Sequence, residues 1–178
     1  MLQEHIVVQP VIETERFVLR PPRKSDAGLI GMHTGDPRVA KGTRSIPHPL
    51  PPGATDAFID KALADARDED VWIIDGSEKA HAEVMGVISL LRMDRDQSQI
   101  GYWVAPAFWN SGIATAAVAA LLDANPHEAD RIFAEVFQDN PGSARVLTNC
   151  GFDYLGDAEA FSVARNSTVP TWTYTRKM

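Results

Sequence analysis

The chain has 178 residues, 44% hydrophobic and 23% charged, the length and composition of a single folded domain, and this excludes global disorder and collagen-like structure. A single cysteine, Cys150, excludes an internal disulfide and any multi-cysteine zinc site. The net charge of −7 argues against nucleic acid as the primary partner, since phosphate backbones need a basic face. No apolar run reaches membrane-spanning length, and no basic segment followed by an apolar one opens the chain. The expectation is a cytoplasmic protein without a membrane partner, with residues 1–10 as an N-terminal extension and 11–178 as one domain.

In chain order, Val11 to Arg20 alternates as a strand, ended by Pro21-Pro22. Ser25 and Asp26 can cap a helix to Thr34, with Leu29, Ile30 and Met32 apolar, and Asp36-Pro37 opens a second, short helix. Residues 45–55 hold four prolines and a glycine and form a loop. Thr55 caps a helix through about Arg67. The period then changes from 3.6 to 2, giving strands over 71–74, 84–93 and 97–104, the second apolar on both faces and so central. Ser111 to Ala124 is helical, Arg131 to Phe137 a strand, and Asn140-Pro141 starts a helix that Gly151 ends. Strands at 152–155 and 168–175 close the chain. This order predicts an α/β (α+β) fold, with a mixed, mostly antiparallel central sheet of about 6–7 strands and helices on both faces. The crossover from Gln97 to Phe137 is expected to be parallel and right-handed.

The segment richest in chemistry is Ile100 to Thr115. A strand ends at Val104, and Asn110-Ser111-Gly112-Ile113-Ala114-Thr115 opens the next helix. Small residues let backbone N–H groups approach a ligand, and the first helical turn offers unpaired donors and the positive end of the dipole, the ingredients of a phosphate site. Neither a nucleoside-triphosphate loop nor a dinucleotide fingerprint is present.

Trp109-Asn110-Ser111-Gly112-Ile113-Ala114 resembles motif A of the Gcn5-related N-acetyltransferase (GNAT) superfamily, [Gln/Arg]-x-x-Gly-x-[Gly/Ala], with Trp109 in place of the first residue. Asn140 to Leu147, with Gly151-Phe152, is similar to a second pattern of that family. Thr14 to Pro21 and Ile46 to Pro49 resemble its branch of ribosomal-protein-alanine acetyltransferases (RimJ/RimL-like). The resemblance covers about residues 11–178. It implies the GNAT fold, and acetyl transfer from acetyl-CoA to a primary amine, on a protein N-terminus or a small molecule, by direct attack in a ternary complex without a metal. It further implies that Val104, Asn110, Ser111, Gly112, Ile113, Ala114, Thr115, Asn140 and Ser143 contact the coenzyme. Ser143 would protonate the leaving thiolate, and a backbone N–H near Val104 would stabilise the developing oxyanion.

For amine deprotonation the resemblance offers His48, in a loop bordering the acceptor site. Gln99 stands where many relatives carry a glutamate and cannot take a proton; Glu83 and Glu135 are other carboxylates to consider. Asn140-Pro141 is also a sufficient N-cap in its own right, and Cys150 is expected in the core. Tyr102 and Trp103 point to opposite faces of one strand, so one of them should face the cleft. Two further readings stay open: an inactive coenzyme-binding module, suggested by Trp109 and Gln99, and an interaction domain that kept only the fold. A monomer or a homodimer is equally compatible with the sequence.

Overall fold

The computed structural model describes residues 9–178; the expected extension over 1–10 lies almost wholly outside the described residues. Its last two positions are tied to the sheet. Gln9 Nε2 donates to Val71 O at 2.6 Å, and Trp72 Nε1 donates to Pro10 O at 2.8 Å.

Among the described residues, eight strands and five α-helices follow one another in the expected order. They are β1 (Ile12–Glu13), β2 (Val18–Arg20), α1 (Ala27–Thr34), α2 (Pro37–Ala40), α3 (Ala54–Leu63), β3 (Glu69–Asp75), β4 (Gly86–Met93), β5 (Gln97–Val104), α4 (Ile113–Ala124), β6 (Arg131–Phe137), α5 (Pro141–Asn149), β7 (Asp153–Ser162) and β8 (Ser167–Lys177). The sheet runs β1-β2-β3-β4-β5-β6-β8-β7, with every neighbour antiparallel except β5 and β6. The count exceeds the expected 6–7 because Val11 to Arg20 is a hairpin rather than one strand. Thr14 N–H bonds Phe17 O at 2.9 Å, turning the chain between β1 and β2. The last two strands are also longer than their apolar cores suggest, forming a hairpin of ten and eleven residues whose outer strand is largely exposed.

Asp26 is not the cap expected of it. It is buried and takes two bonds from Arg20, at 2.8 and 2.9 Å, while Arg20 Nε also bonds Asp75 at 2.7 Å. Burial alone would raise both carboxyls, but the guanidinium overrides it and holds Asp26 and Asp75 below the usual carboxylate range. This buried triad fixes β2, β3 and the start of α1 to one another. Of the apolar positions expected on α1, Ile30 is buried, whereas Met32 is exposed.

The core lies on both faces of the sheet. On one face Ile88, Leu90, Ile100 and Ile132 pack against Ala117, Val118 and Leu121 of α4 and Leu147 of α5. On the other, Val71, Ile73 and Val87 pack against Ile30 of α1 and Ile59 and Ala62 of α3. The alanines of α4 let that helix sit close to the strands.

The parallel pairing of β5 and β6 positions everything that follows. It holds only at Gln97↔Arg131, Ser98↔Ile132 and Gln99↔Phe133. Beyond Gln99 the strands part. Ladder bonds from Arg92 N–H to Asp68 O and from Ala105 N–H to Met85 O fix the alternation across β3, β4 and β5. Odd-numbered residues of β5 therefore bond β4, and the backbone groups of Tyr102 and Val104 face the gap.

Candidate active site

The gap opens into two adjoining cavities, one toward α4 and α5 and one toward α1, α3 and the 43–50 loop. Gly42, Thr43, Tyr102 and Trp103 line both.

The cavity on the α4 side has a volume of about 550 Å³. Gly112 caps α4 at φ +79°, and Asn110 before it also lies at positive φ, +57°. The tight turn directs the first-turn N–H groups of Ile113, Ala114 and Thr115 ahead of the first helical bond, Ala116 N–H to Gly112 O at 3.0 Å. A side chain at 112 would be strained there and would meet the Arg16 guanidinium at 3.2 Å. Asn110, Gly112, Ile113, Ala114 and Thr115 line this cavity with Val104, Asn140 and Ser143. Eight of the nine residues expected at the coenzyme are thus brought together. The ninth, Ser111, is exposed beside them; its hydroxyl donates to Phe108 O and its carbonyl accepts from Arg16 at 2.7 Å.

Trp109 fills the departure from motif A in its own way. Its indole N–H donates to Val104 O at 2.7 Å, fastening the loop to the strand end, and the Arg38 guanidinium lies 5.8 Å from its ring. Positive charge missing at position 109 is supplied from α2. Lys41, Arg145 and Arg165 line the same cavity with Arg38, against Asp139 as its acid. Sequence reasoning missed all four cations: Arg38, Lys41 and Arg165 lie far along the chain from the motifs, and Arg145, inside the second pattern, stands at one of its unspecified positions.

Asn140 accepts from Ser143 N–H at 3.3 Å as the N-cap of α5. The Ser143 hydroxyl is not part of that cap. It donates to the Tyr102 phenol at 2.9 Å, and the phenol donates to Ser143 O at 3.0 Å. Burial pushes the Tyr102 phenol well above its ordinary range, with the Ser143 hydrogen bond offsetting part of the rise, so the ring keeps its proton. Cys150 packs against the core with its thiol directed at Thr115 O, and burial pushes it up as well, with Arg176 opposing, which disfavours the thiolate.

The second cavity, about 310 Å³, is lined from the opposite face. Register places Glu69, Leu91, Gln99 and Phe133 in one row across the sheet, and Glu135 two residues on from Phe133 shares that face. Glu69, Gln99, Trp103 and Glu135 all line the cavity. Trp103 and Tyr102 therefore each serve a different face, where one of them was expected at the cleft. His48 is not brought in: it is exposed, and only its neighbours Ile46, Pro47 and Leu50 reach the cavity wall. Glu83 is exposed and remote from both cavities.

Residues 16–153 match the acetyltransferase (GNAT) domain family. The chain belongs to that family. This GNAT acetyltransferase is 26% identical to "Uncharacterized N-acetyltransferase p20" of Bacillus licheniformis, over 90% of this chain and 92% of that one. Its fold is similar to that of RimL, a ribosomal L7/L12 α-N-protein acetyltransferase solved with coenzyme A, with a TM-score of 0.81 at 17% identity over 95% and 98% of the two chains. The spermidine N-acetyltransferase of Vibrio cholerae, solved with CoA and spermine, superposes with a TM-score of 0.76 at 15% identity over 92% and 96%. Among the described residues no helix is long and apolar enough to cross a membrane, and no group of three His, Cys, Asp or Glu is placed to hold a metal ion.

Proposed function

We propose that this acetyltransferase moves an acetyl group from acetyl-CoA to a primary amine by direct attack in a ternary complex. The observation that carries the reading is the parting of β5 and β6 with a cation-rich cavity on one face of the sheet and a carboxylate-bearing one on the other. The donor set suits a phosphate-bearing coenzyme: first-turn N–H groups of α4 beside Gly112, with Arg38, Lys41, Arg145 and Arg165 around them. An amine approaching from the other cavity meets the thioester at the gap.

The chain's contributions follow from the geometry. The Val104 N–H faces the gap, where a fixed donor stabilises charge developing on the thioester oxygen. The amine lone pair forms the C–N bond and the C–S bond breaks. An ammonium acceptor gives up two protons overall, one to the sulfur and one to solvent. Ser143 delivers the first. Its hydroxyl turns from Tyr102 to the sulfur, the phenol refills it by turning from Ser143 O, and solvent, which takes up the amine's protons, returns one to the phenol. Positioning both reactants at one gap supplies much of the remaining acceleration. The RimL and spermidine enzymes show the fold serving a protein in one case and a small amine in the other, and at 17% and 15% identity neither passes its acceptor to this chain.

Two measurements test the reading. Acetyl-CoA at 100 times its Kd should add about 2.7 kcal/mol of stability, a rise of roughly 5–10 °C in Tm for a chain of this length. Thiol release from acetyl-CoA should then depend on added amine. Absence of a thermal shift at millimolar acetyl-CoA overturns the coenzyme site, and a shift without turnover on any amine makes the protein a binding module.

A further inference from the structure

The acceptor cavity has a chemistry of its own. Its two carboxylates lie three strands apart on one sheet face, Glu69 on β3 and Glu135 on β6, and Arg44 Nη1 meets Glu135 at 3.2 Å. Most of the remaining wall is apolar, with Phe58, Val71, Val87, Trp103 and Phe137 prominent. Thr171 adds an unusual feature. It is 1% exposed, it lines this cavity opposite Phe137 in the β6–β8 register, and its hydroxyl has no hydrogen-bond partner among the described residues. Buried hydroxyls are nearly always bonded, and one left over in a ligand cavity points to a partner on the ligand.

The cavity is also roofed. The 43–50 loop covers it and is held to the turn between β7 and β8, where Val163 N–H donates to Arg44 O at 3.0 Å. Two residues before the roof begins, Arg165 bonds Lys41 O with both Nε, at 3.1 Å, and Nη2, at 2.8 Å. Arg165 is itself clamped by Asp139.

Resting on the acetyl-transfer reading above, we propose that the acceptor is a small molecule carrying one primary amine on a compact apolar body, with its ammonium held between Glu135 and the Thr171 hydroxyl on the neighbouring strand, which accepts from it, and with Glu69 adding negative charge across the cavity. A polyamine brings three or more charges to a site with two carboxylates, one already paired with Arg44, and would leave an ammonium buried against apolar walls. A free amino acid brings its carboxylate against two others. A protein N-terminus would bring the peptide groups of its first residues against the same apolar walls.

The test uses the full-length enzyme at saturating acetyl-CoA, with 2-phenylethylamine, isopentylamine, spermidine, alanine and an alanine-initiated peptide as acceptors. The two apolar amines should exceed the other three in kcat/KM by about 10-fold or more, the scale on which an unpaired buried charge discriminates. Glu135→Gln should raise the amine KM about 10- to 100-fold, the size of a charge-assisted hydrogen bond, with the acetyl-CoA KM unchanged. Thr171→Val is the sharper variant because it keeps the shape. It should raise the amine KM about 3- to 10-fold, and it should raise Tm in the absence of amine by about 2–4 °C, because an unbonded buried hydroxyl is removed. Preference for spermidine, alanine or the peptide overturns this inference and leaves acetyl transfer standing. An unchanged amine KM in Thr171→Val overturns the role of that hydroxyl. Turnover of none of the five amines, with acetyl-CoA bound, overturns the inference together with the transfer reading.

Discussion

The two cavities share four lining residues and differ in almost everything else. The coenzyme side is built largely from two short contiguous segments, 109–115 and 140–146, each a helix start, with cations gathered around them. The acceptor side is built across the sheet from β3, β4, β5, β6 and β8 and roofed by a loop, with two glutamates and one paired arginine. One side bears positive charge and open backbone donors, as a phosphate ligand requires; the other bears carboxylates in an apolar wall, as an amine requires. The chain carries a net charge of −7, so the positive character of the coenzyme side is a local arrangement that opposes the whole. A helix start can be conserved in shape by a handful of neighbouring residues. A wall drawn from five strands is free to change one residue at a time, and a fold can in this way keep its donor while changing its acceptor.

Ser143 lines the α4-side cavity and bonds Tyr102, which lines both, and its removal should have the largest effect. Ser143→Ala should lower kcat by about 10²- to 10⁴-fold, the range of an acid–base contribution, with the acetyl-CoA KM little changed. Steady-state kinetics beside a thermal melt separates this from a structural role. The helix cap is Asn140, so Ser143→Ala removes only the bond to Tyr102 from the fold. A normal kcat with a lowered Tm would return Ser143 to the status of a first-turn residue and sever the chemical link to Tyr102.

Gly112 tests the coenzyme side alone. At φ +79° any L-residue is strained by about 1–2 kcal/mol, so Gly112→Ala and Gly112→Glu should lose a similar few degrees of Tm. Only the glutamate brings negative charge and bulk to the first-turn donors of α4. Calorimetric titration with acetyl-CoA should show about 100-fold weaker binding for Gly112→Glu, the size of losing charge-assisted contacts, and a much smaller change for Gly112→Ala. Equal affinities in the two variants would show that the α4 start is a packing feature and would erase the contrast between the cavities.

Legibility from sequence divides along the same line. The meander β3-β4-β5, the crossover to β6 and the capped α5 all follow from local period and turn chemistry, whereas the gathering of residues 110, 112–115, 140 and 143 was expected from the family resemblance. What was not legible depends on distance along the chain. The hairpin at Thr14–Phe17 hides inside an alternating run. Asp26 looks like a cap because its partner Arg20 is recognisable only once β2 and β3 are paired to bury it. Glu135 could be singled out as a carboxylate on a strand, but its sharing a cavity wall with Glu69, 66 positions earlier, depends on the register of four strands. His48 drew attention through its residue type and its loop, and the loop turns its neighbours inward in its place. Arg38 was invisible for a related reason: motif A directs attention to position 109, whereas the guanidinium beside that loop arrives from α2.

Arg38 therefore offers the finest test of the contrast, with the smallest expected effect. Its side chain is 64% exposed, and its guanidinium bonds Asp36 at 2.8 Å and lies 5.8 Å from the Trp109 ring at the edge of the α4-side cavity. An exposed ion pair of this kind adds little to stability, so Arg38→Ala should leave Tm within about 2 °C. A cation at the edge of a phosphate site should nonetheless matter for binding. The acetyl-CoA KM should rise about 3- to 10-fold, and the rise should shrink as ionic strength goes from 0.05 to 0.5 M, because screening weakens the wild-type contact. The amine KM should stay put, since Arg38 lines only the α4-side cavity. Arg38→Lys should restore part of the affinity at low salt through charge alone, without the planar group that lies over Trp109. If the amine KM moved with the acetyl-CoA KM, the two cavities would be coupled through α2 and the 43–50 loop that follows it, and the separation of donor side from acceptor side would fail at that point.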